Sequence, residues 1–286
     1  MLSALSWWYL KANRDTKSET DGVMNWTDAR PDISPHGWRY VYEKTGWPVV
    51  AHNREWDAGL VYAKRNGGSF DDSAFVWSPS TQFNESFALP VADEFWDSLF
   101  ANAKHWGLIN YQLDWMFTQQ TMTKMLSNIS MCSNWHAQMD RALAKQGMHF
   151  GFGGTMMANY LQSTEMTVVT NGRTTGDYHA DLTDQWAIGV PSIVSYALGV
   201  IPAKGGFWST AVQPGDPYSA KGSPRSEPYS ALHAAVSTLT RGPVSPADKV
   251  SGHSRPDRYD LTCMFDSLCA YWEPKSITRS ATSTAR

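Results

Sequence analysis

Apolar residues recur along this chain at two different spacings, and blocks of one spacing take turns with blocks of the other. Trp47-Pro48-Val49-Val50-Ala51-His52-Asn53 is a short apolar run ending in polar residues, as in a buried strand that delivers side chains at its end. Leu108–Leu113 reads as a strand running into Asp114. From Thr121 to Gln146 apolar residues fall at Met122, Met125, Ile129, Cys132, Trp135, Met139 and Leu143, steps of three or four that predict one amphipathic helix, stopped by Gly147. Met148–Phe152 is the next strand, Thr155–Glu165 a short helix, and Met166–Thr170 a β-branched strand leading to Asp177. A helix over 184–198 follows, limited or kinked at its start by Pro191. A further strand lies between Gly199-Val200-Ile201-Pro202 and Gly206-Phe207-Trp208, then a helix at Leu232–Leu239, and Gly242-Pro243-Val244 opens a last strand.

The remaining stretches are less regular. Residues 11–37 are polar and turn-rich, with a helix boundary at Asp32–Gly37. Residues 54–90 read as an irregular insertion, and 91–106 as an acidic-aromatic helix. Ser209–Pro228, with four prolines and two glycines, is too long for an ordinary connection and reads as a lid or an excursion. Strands alternating with helices at this spacing predict a parallel α/β architecture. A barrel and a doubly wound sheet fit the alternation equally well. No G-x-G-x-x-G follows any strand, which argues against a nucleotide fold, and about six strands can be counted.

Composition narrows the function classes. The chain has 286 residues, 42% of them hydrophobic, enough for one large core, and a net charge of −3. With no basic patch, neither nucleic acid nor an anionic membrane is an expected partner. No run of 18 apolar residues occurs to span a membrane, and the N-terminal residues lack the basic start and cleavage site of a signal peptide, leaving the compartment open. Cys132, Cys263 and Cys269 form no Cys-x-x-Cys pair, and the eight histidines show no metal-binding spacing, so no metal or cofactor is expected. Asn25, Asn84 and Asn128 head Asn-x-Ser/Thr triplets, the last within the helix predicted from Thr121. The 14 tryptophans, 12 tyrosines and 11 phenylalanines suit either sugar-stacking loops or a large core.

The chemistry concentrates at two aspartates. Asp114, between Leu113 and Trp115, and Asp177, after Gly176, each follow a strand-like run. In a barrel of parallel strands, strand ends converge on one face, and two carboxylates meeting there are the minimum equipment for splitting a glycosidic bond. Asp114 would be the nucleophile. Asp177 would protonate the leaving oxygen and then act as base on water. Each could instead be structural, Asp114 as a helix cap and Asp177 as the partner of Arg173, four residues before it. His52 and Asn53 could hydrogen-bond sugar hydroxyls. With Gln112, Trp115, Arg173, Tyr178 and Trp208 they make the expected substrate-binding set.

From about His52 onward the order of segments resembles the retaining α-galactosidase-like glycoside hydrolases, particularly the raffinose-synthase and alkaline α-galactosidase branch. Val50-Ala51-His52 resembles that branch's Trp-His-Ala segment, and Tyr111-Gln112-Leu113-Asp114 its Val-Lys-Val-Asp nucleophile segment. Arg173–Tyr178 resembles its Arg-Ala-Ser-Asp-Asp-Phe acid/base segment, and Gly242-Pro243-Val244-Ser245 its closing Gly-Gly-Pro-Ile-Tyr-Val-Ser segment. The resemblance implies a (β/α)₈ TIM-type barrel acting on an α-glycoside, by hydrolysis or by transfer to another sugar. It departs at Gln112, where the branch has a galactose-binding lysine, and before residue 46, where the first two strand segments are not found. The implied organisation is a leading segment 1–46, an incomplete barrel 47–262 with about six of eight strand–helix units, and a tail 263–286. A carbohydrate-binding remnant without catalysis is the alternative.

Overall fold

A computed structural model describes residues 22–28, 36–83, 85–180, 186–212 and 226–247, all within the unit Met1–Ala247. Helix α1 (Gly37–Thr45) leads into strand β1 (Val49–Asn53), where the apolar run predicts it. The segment 54–90, read as irregular, instead holds a three-stranded antiparallel sheet of β2 (Trp56–Asp57), β4 (Ser86–Pro90) and β3 (Phe75–Pro79), in that order. These strands are short and bury residues on both faces, so the period-two signal is faint.

Helix α2 (Asp93–Lys104) and strand β5 (Leu108–Leu113) follow as expected. The helix predicted from Thr121 to Gln146 is broken in two, α3 (Thr123–Leu126) and α4 (Ile129–Gln146). Asn128 lies between them as an N-cap, its Oδ1 accepting from the Ser130 N–H at 3.1 Å, and a capped start cannot also be helix interior. Gly147 ends α4 in the left-handed region at φ 68°. Then come β6 (His149–Phe152), α5 (Met157–Gln162), β7 (Val169–Arg173), α6 (Gly189–Ala197), β8 (Ile201–Ala203) and α7 (Ser230–Leu239). Pro191 sits in the first turn of α6, where its missing N–H is harmless.

The five longer-range strands form one parallel sheet in the order β1-β5-β6-β7-β8. The expected sixth strand is reduced, among the described residues, to a single parallel bridge between Phe207 and Pro246. Strand order follows chain order without reversal. Right-handed crossovers taken always in one direction put all the helices on one face, as in part of a TIM-like barrel. A doubly wound sheet needs a reversal at its switch point, and this sheet has none.

The helix-side face is an aromatic layer. Tyr111 lies 4.9 Å from Phe100, 5.5 Å from Trp26 and 5.8 Å from Phe150, ring centre to ring centre, and Trp96 spans from Phe100 to Trp135. Trp26, Trp38, Trp56, Trp96, Trp106 and Trp135 are all core residues. Most of the described tryptophans therefore build the core rather than line loops. Val23 and Trp26 belong to that same core, so this part of the leading segment is built into the unit that carries the sheet. Cys263, Cys269, Asn84 and the segment 263–286 lie outside the described residues.

Candidate active site

The carboxyl ends of the parallel strands bring together side chains from five chain segments. Asp114 follows β5 directly, and its backbone N–H is held by the Asn53 carbonyl at the end of β1 (2.8 Å). Its carboxylate is 3% exposed. Oδ2 accepts from His52 Nε2 at 2.8 Å, Oδ1 accepts the Gly154 N–H, and Arg173 Nη2 stands 3.7 Å from Oδ1. Burial pushes the Asp114 carboxyl up. The His52 hydrogen bond and charge, the Arg173 cation and the Gly154 N–H together outweigh burial and hold it well below the usual carboxylate range. Asp114 is therefore ionised at any ordinary pH.

Arg173 ends β7 and bridges to the second aspartate, its Nη1 donating to Asp177 Oδ1. Burial would lower its pKa, but the two carboxylates raise it, so the cation is secure. Asp177 is 41% exposed and open to solvent, unlike Asp114. The turn that carries it is tied to β8 and to the chain before α7. Thr174 N–H donates to the Ala203 carbonyl (2.9 Å), Gly205 N–H to Thr175 Oγ1 (2.8 Å), and Tyr178 Oη to Glu227 Oε2 (2.8 Å).

The other expected site residues separate by strand face. Successive side chains of a strand point to opposite faces, so His52 reaches Asp114 while its neighbour Asn53 cannot. Asn53 is 0% exposed and donates from Nδ2 to Tyr111 Oη at 3.0 Å, on the helix side. The reading of Asn53 as a sugar ligand is corrected: it is a core hydrogen bond. Gln112 lies on the same face as Asp114, paired in register with His52. Trp115 adopts φ 50°, rare for a side chain of this size, and turns the chain sharply after Asp114. Its ring lies under the Arg54 guanidinium, 4.0 Å from the ring centre. Trp208 is 6% exposed and packs against Tyr178 at 5.9 Å, so it backs the tyrosine rather than offering an open face.

Several members of the site went unread in the sequence. Gly153 and Gly154, a glycine pair just after β6, let the backbone meet Asp114: a Cβ at either would stand 2.6 or 2.7 Å from Oδ1. A Gly-Gly pair at a strand end is itself a signal of close backbone approach. Lys204, Glu227 and His233 carried no signal. They form a buried group behind Tyr178, with His233 Nε2 at 3.2 Å from Glu227 Oε2 and the Lys204 ammonium 5.5 Å from the Tyr178 ring centre. Burial pushes the Lys204 amine down to about 8 against the pull of Glu227. Among the described residues no cluster of three or more His, Cys, Asp or Glu is arranged to hold a metal, and no helix is long and apolar enough to cross a membrane.

No family model matches the sequence, and no curated protein matches it. Among solved structures, a quadruple mutant of the α-N-acetylgalactosaminidase NagBb from Bifidobacterium bifidum is similar over 82% of this chain, with a TM-score of 0.44 and 12% identity. The chain spans 38% of that protein's length.

Proposed function

We propose that this chain is a retaining glycoside hydrolase that acts on an α-glycoside through Asp114 and Asp177, on a TIM-type barrel of which the parallel sheet is a part. The observation that carries the reading is one guanidinium shared by two carboxylates from the ends of different strands, one buried and ionised, the other open to solvent. Sharing Arg173 holds their separation to no more than roughly 9 Å, a bound that admits both the roughly 5 Å spacing of retaining pairs and the wider spacing of inverting ones. Retention therefore rests on the resemblance of the Asp114 segment to a nucleophile segment.

Asp114 attacks the anomeric carbon while the glycosidic oxygen departs with a proton from Asp177. Asp177 can carry that proton only once the bound substrate has drawn it away from Arg173, since the guanidinium favours the ionised carboxylate. Water then attacks the glycosyl–enzyme, gives its proton to Asp177 and frees Asp114. A sugar hydroxyl in place of water gives transfer by the same steps. His52, Gln112, Trp115, Arg173 and Tyr178 surround the sugar, and Arg173 and His52 keep the nucleophile ionised.

Replacing Asp114 with Gly is expected to cut turnover of an aryl α-glycoside by several orders of magnitude. Azide should restore release of the aryl group and yield the β-glycosyl azide. Unchanged turnover in the variant would falsify the assignment. A wild-type chain that binds sugars without hydrolysing any aryl α-glycoside would mark a binding remnant.

A further inference from the structure

The site face of the parallel sheet carries side chains that a packed barrel interior does not use. One pleat below Asp114 and Arg173, the register sets Gln112, Gly151 and Asn171 side by side on β5, β6 and β7. Asn110 lies one pleat further down β5, on the same face. A complete barrel fills this volume with layers of bulky branched residues. Here three amides surround a glycine.

Those amides are short of partners. Asn110 is 8% exposed, and its Oδ1 meets no hydrogen-bond donor among the described residues. The described hydrogen bonds include none from the Gln112 side chain, and Asn171 has only Nδ2 to Thr170 Oγ1, its own neighbour, at 3.0 Å. Gln112 and Asn171 are half-buried beside it. A buried amide oxygen without a partner costs on the order of 1–3 kcal/mol, so Asn110 Oδ1 calls for a polar occupant. Gly151 lets the two asparagine amides lean over its strand. A Cβ there would stand 3.1 Å from the Oδ1 atoms of both Asn110 and Asn171.

The occupant must donate to amide oxygens and accept from amide N–H groups at once, and it faces neutral side chains. Amides on neighbouring strands are roughly 4.8 Å apart, a spacing that hydroxyls on one sugar ring span. We propose that Asn110, Gln112 and Asn171, gathered around Gly151, form a binding subsite for an uncharged sugar ring directly beneath Asp114 and Arg173. Its substrate class rests on the glycosidase reading; its chemistry is that of a polyol held by amides.

The test is ligand-observed NMR titration of the full chain with methyl α-galactopyranoside and methyl α-glucopyranoside. Wild type should bind at least one of them. Asn110→Leu and Asn171→Leu, near-isosteric but unable to hydrogen-bond, should each weaken binding tenfold or more, with circular dichroism reporting the native fold. Gly151→Ala, which crowds both amides without removing either, should weaken it as well and serves if a leucine variant does not fold. No binding by wild type, or equal binding by the variants, overturns the subsite and leaves ordered water as the amides' partner. Hydrolysis is assayed separately. Sugar binding lost in the variants but no turnover by wild type sinks only the glycosidase reading; turnover with binding indifferent to the variants sinks only the subsite.

Discussion

Asp114 depends on a backbone that can come close enough to hydrogen-bond it. Gly154 supplies that N–H, and a methyl group at its α-carbon would stand 2.7 Å from Oδ1. Gly154→Ala must push the carboxylate or the turn aside. A displacement of about 1 Å at a reacting atom is worth on the order of a hundredfold in rate. The expected outcome is a fall in kcat of that size with a small change in thermal stability, read from steady-state kinetics and a melting curve on one preparation. Asp114, Arg173 and His52 were legible because polar residues closing apolar runs are conspicuous. Asn53 was misread from the same cue: its place at a strand end was visible, but the face it points to depends on register against β5. Gly153 and Gly154 were in plain view, yet only the approach of Asp114 gives them a role.

Between elements, a buried histidine joins α4 to its surroundings. His136 donates from Nδ1 to Gln162 Oε1 at 2.6 Å and accepts at Nε2 from Gln119 Nε2 at 3.0 Å, an arrangement that needs the neutral ring. Burial pushes its pKa down to about 4, against the Gln162 hydrogen bond. An unfolded histidine titrates near 6.5, so between about 6.5 and 4 the unfolded chain binds the extra proton and stability falls as pH falls. The slope approaches ~1.4 kcal/mol per pH unit inside that window. Urea denaturation across pH 4–7 should show it in wild type and lose that component in His136→Gln. The apolar spacing that predicted one helix from Thr121 to Gln146 passes straight through the break at Asn128. Periodicity marks apolar positions but not where a helix starts: Ile129, on the predicted stripe, is 98% exposed at the head of α4, and the break is set by the Asn128 cap instead.

At the scale of the molecule, the aromatic layer between sheet and helices holds the strand ends in place. Trp96 is completely buried between Phe95, Phe100 and Trp135. Trp96→Ala removes a large ring from a close-packed layer and should cost about 3–5 kcal/mol, seen as a lower urea midpoint with an unchanged slope. The aromatic richness that suited either sugar loops or a core belongs chiefly to this layer. Only Trp115, among the described tryptophans, stands next to a candidate catalytic residue.

Hydrophobic periodicity and chain-breaking residues are local properties, so the types and order of the main elements, the parallel α/β class and the two aspartates at strand ends are readable from the chain alone. The tertiary structure alone decided the one-directional winding of the sheet, the faces taken by His52 and Asn53, the sharing of Arg173 by Asp114 and Asp177, and the tie from Tyr178 to Glu227, 49 residues away. Each of those depends on register and twist between segments far apart in the chain, and no local pattern encodes which strand end will face which.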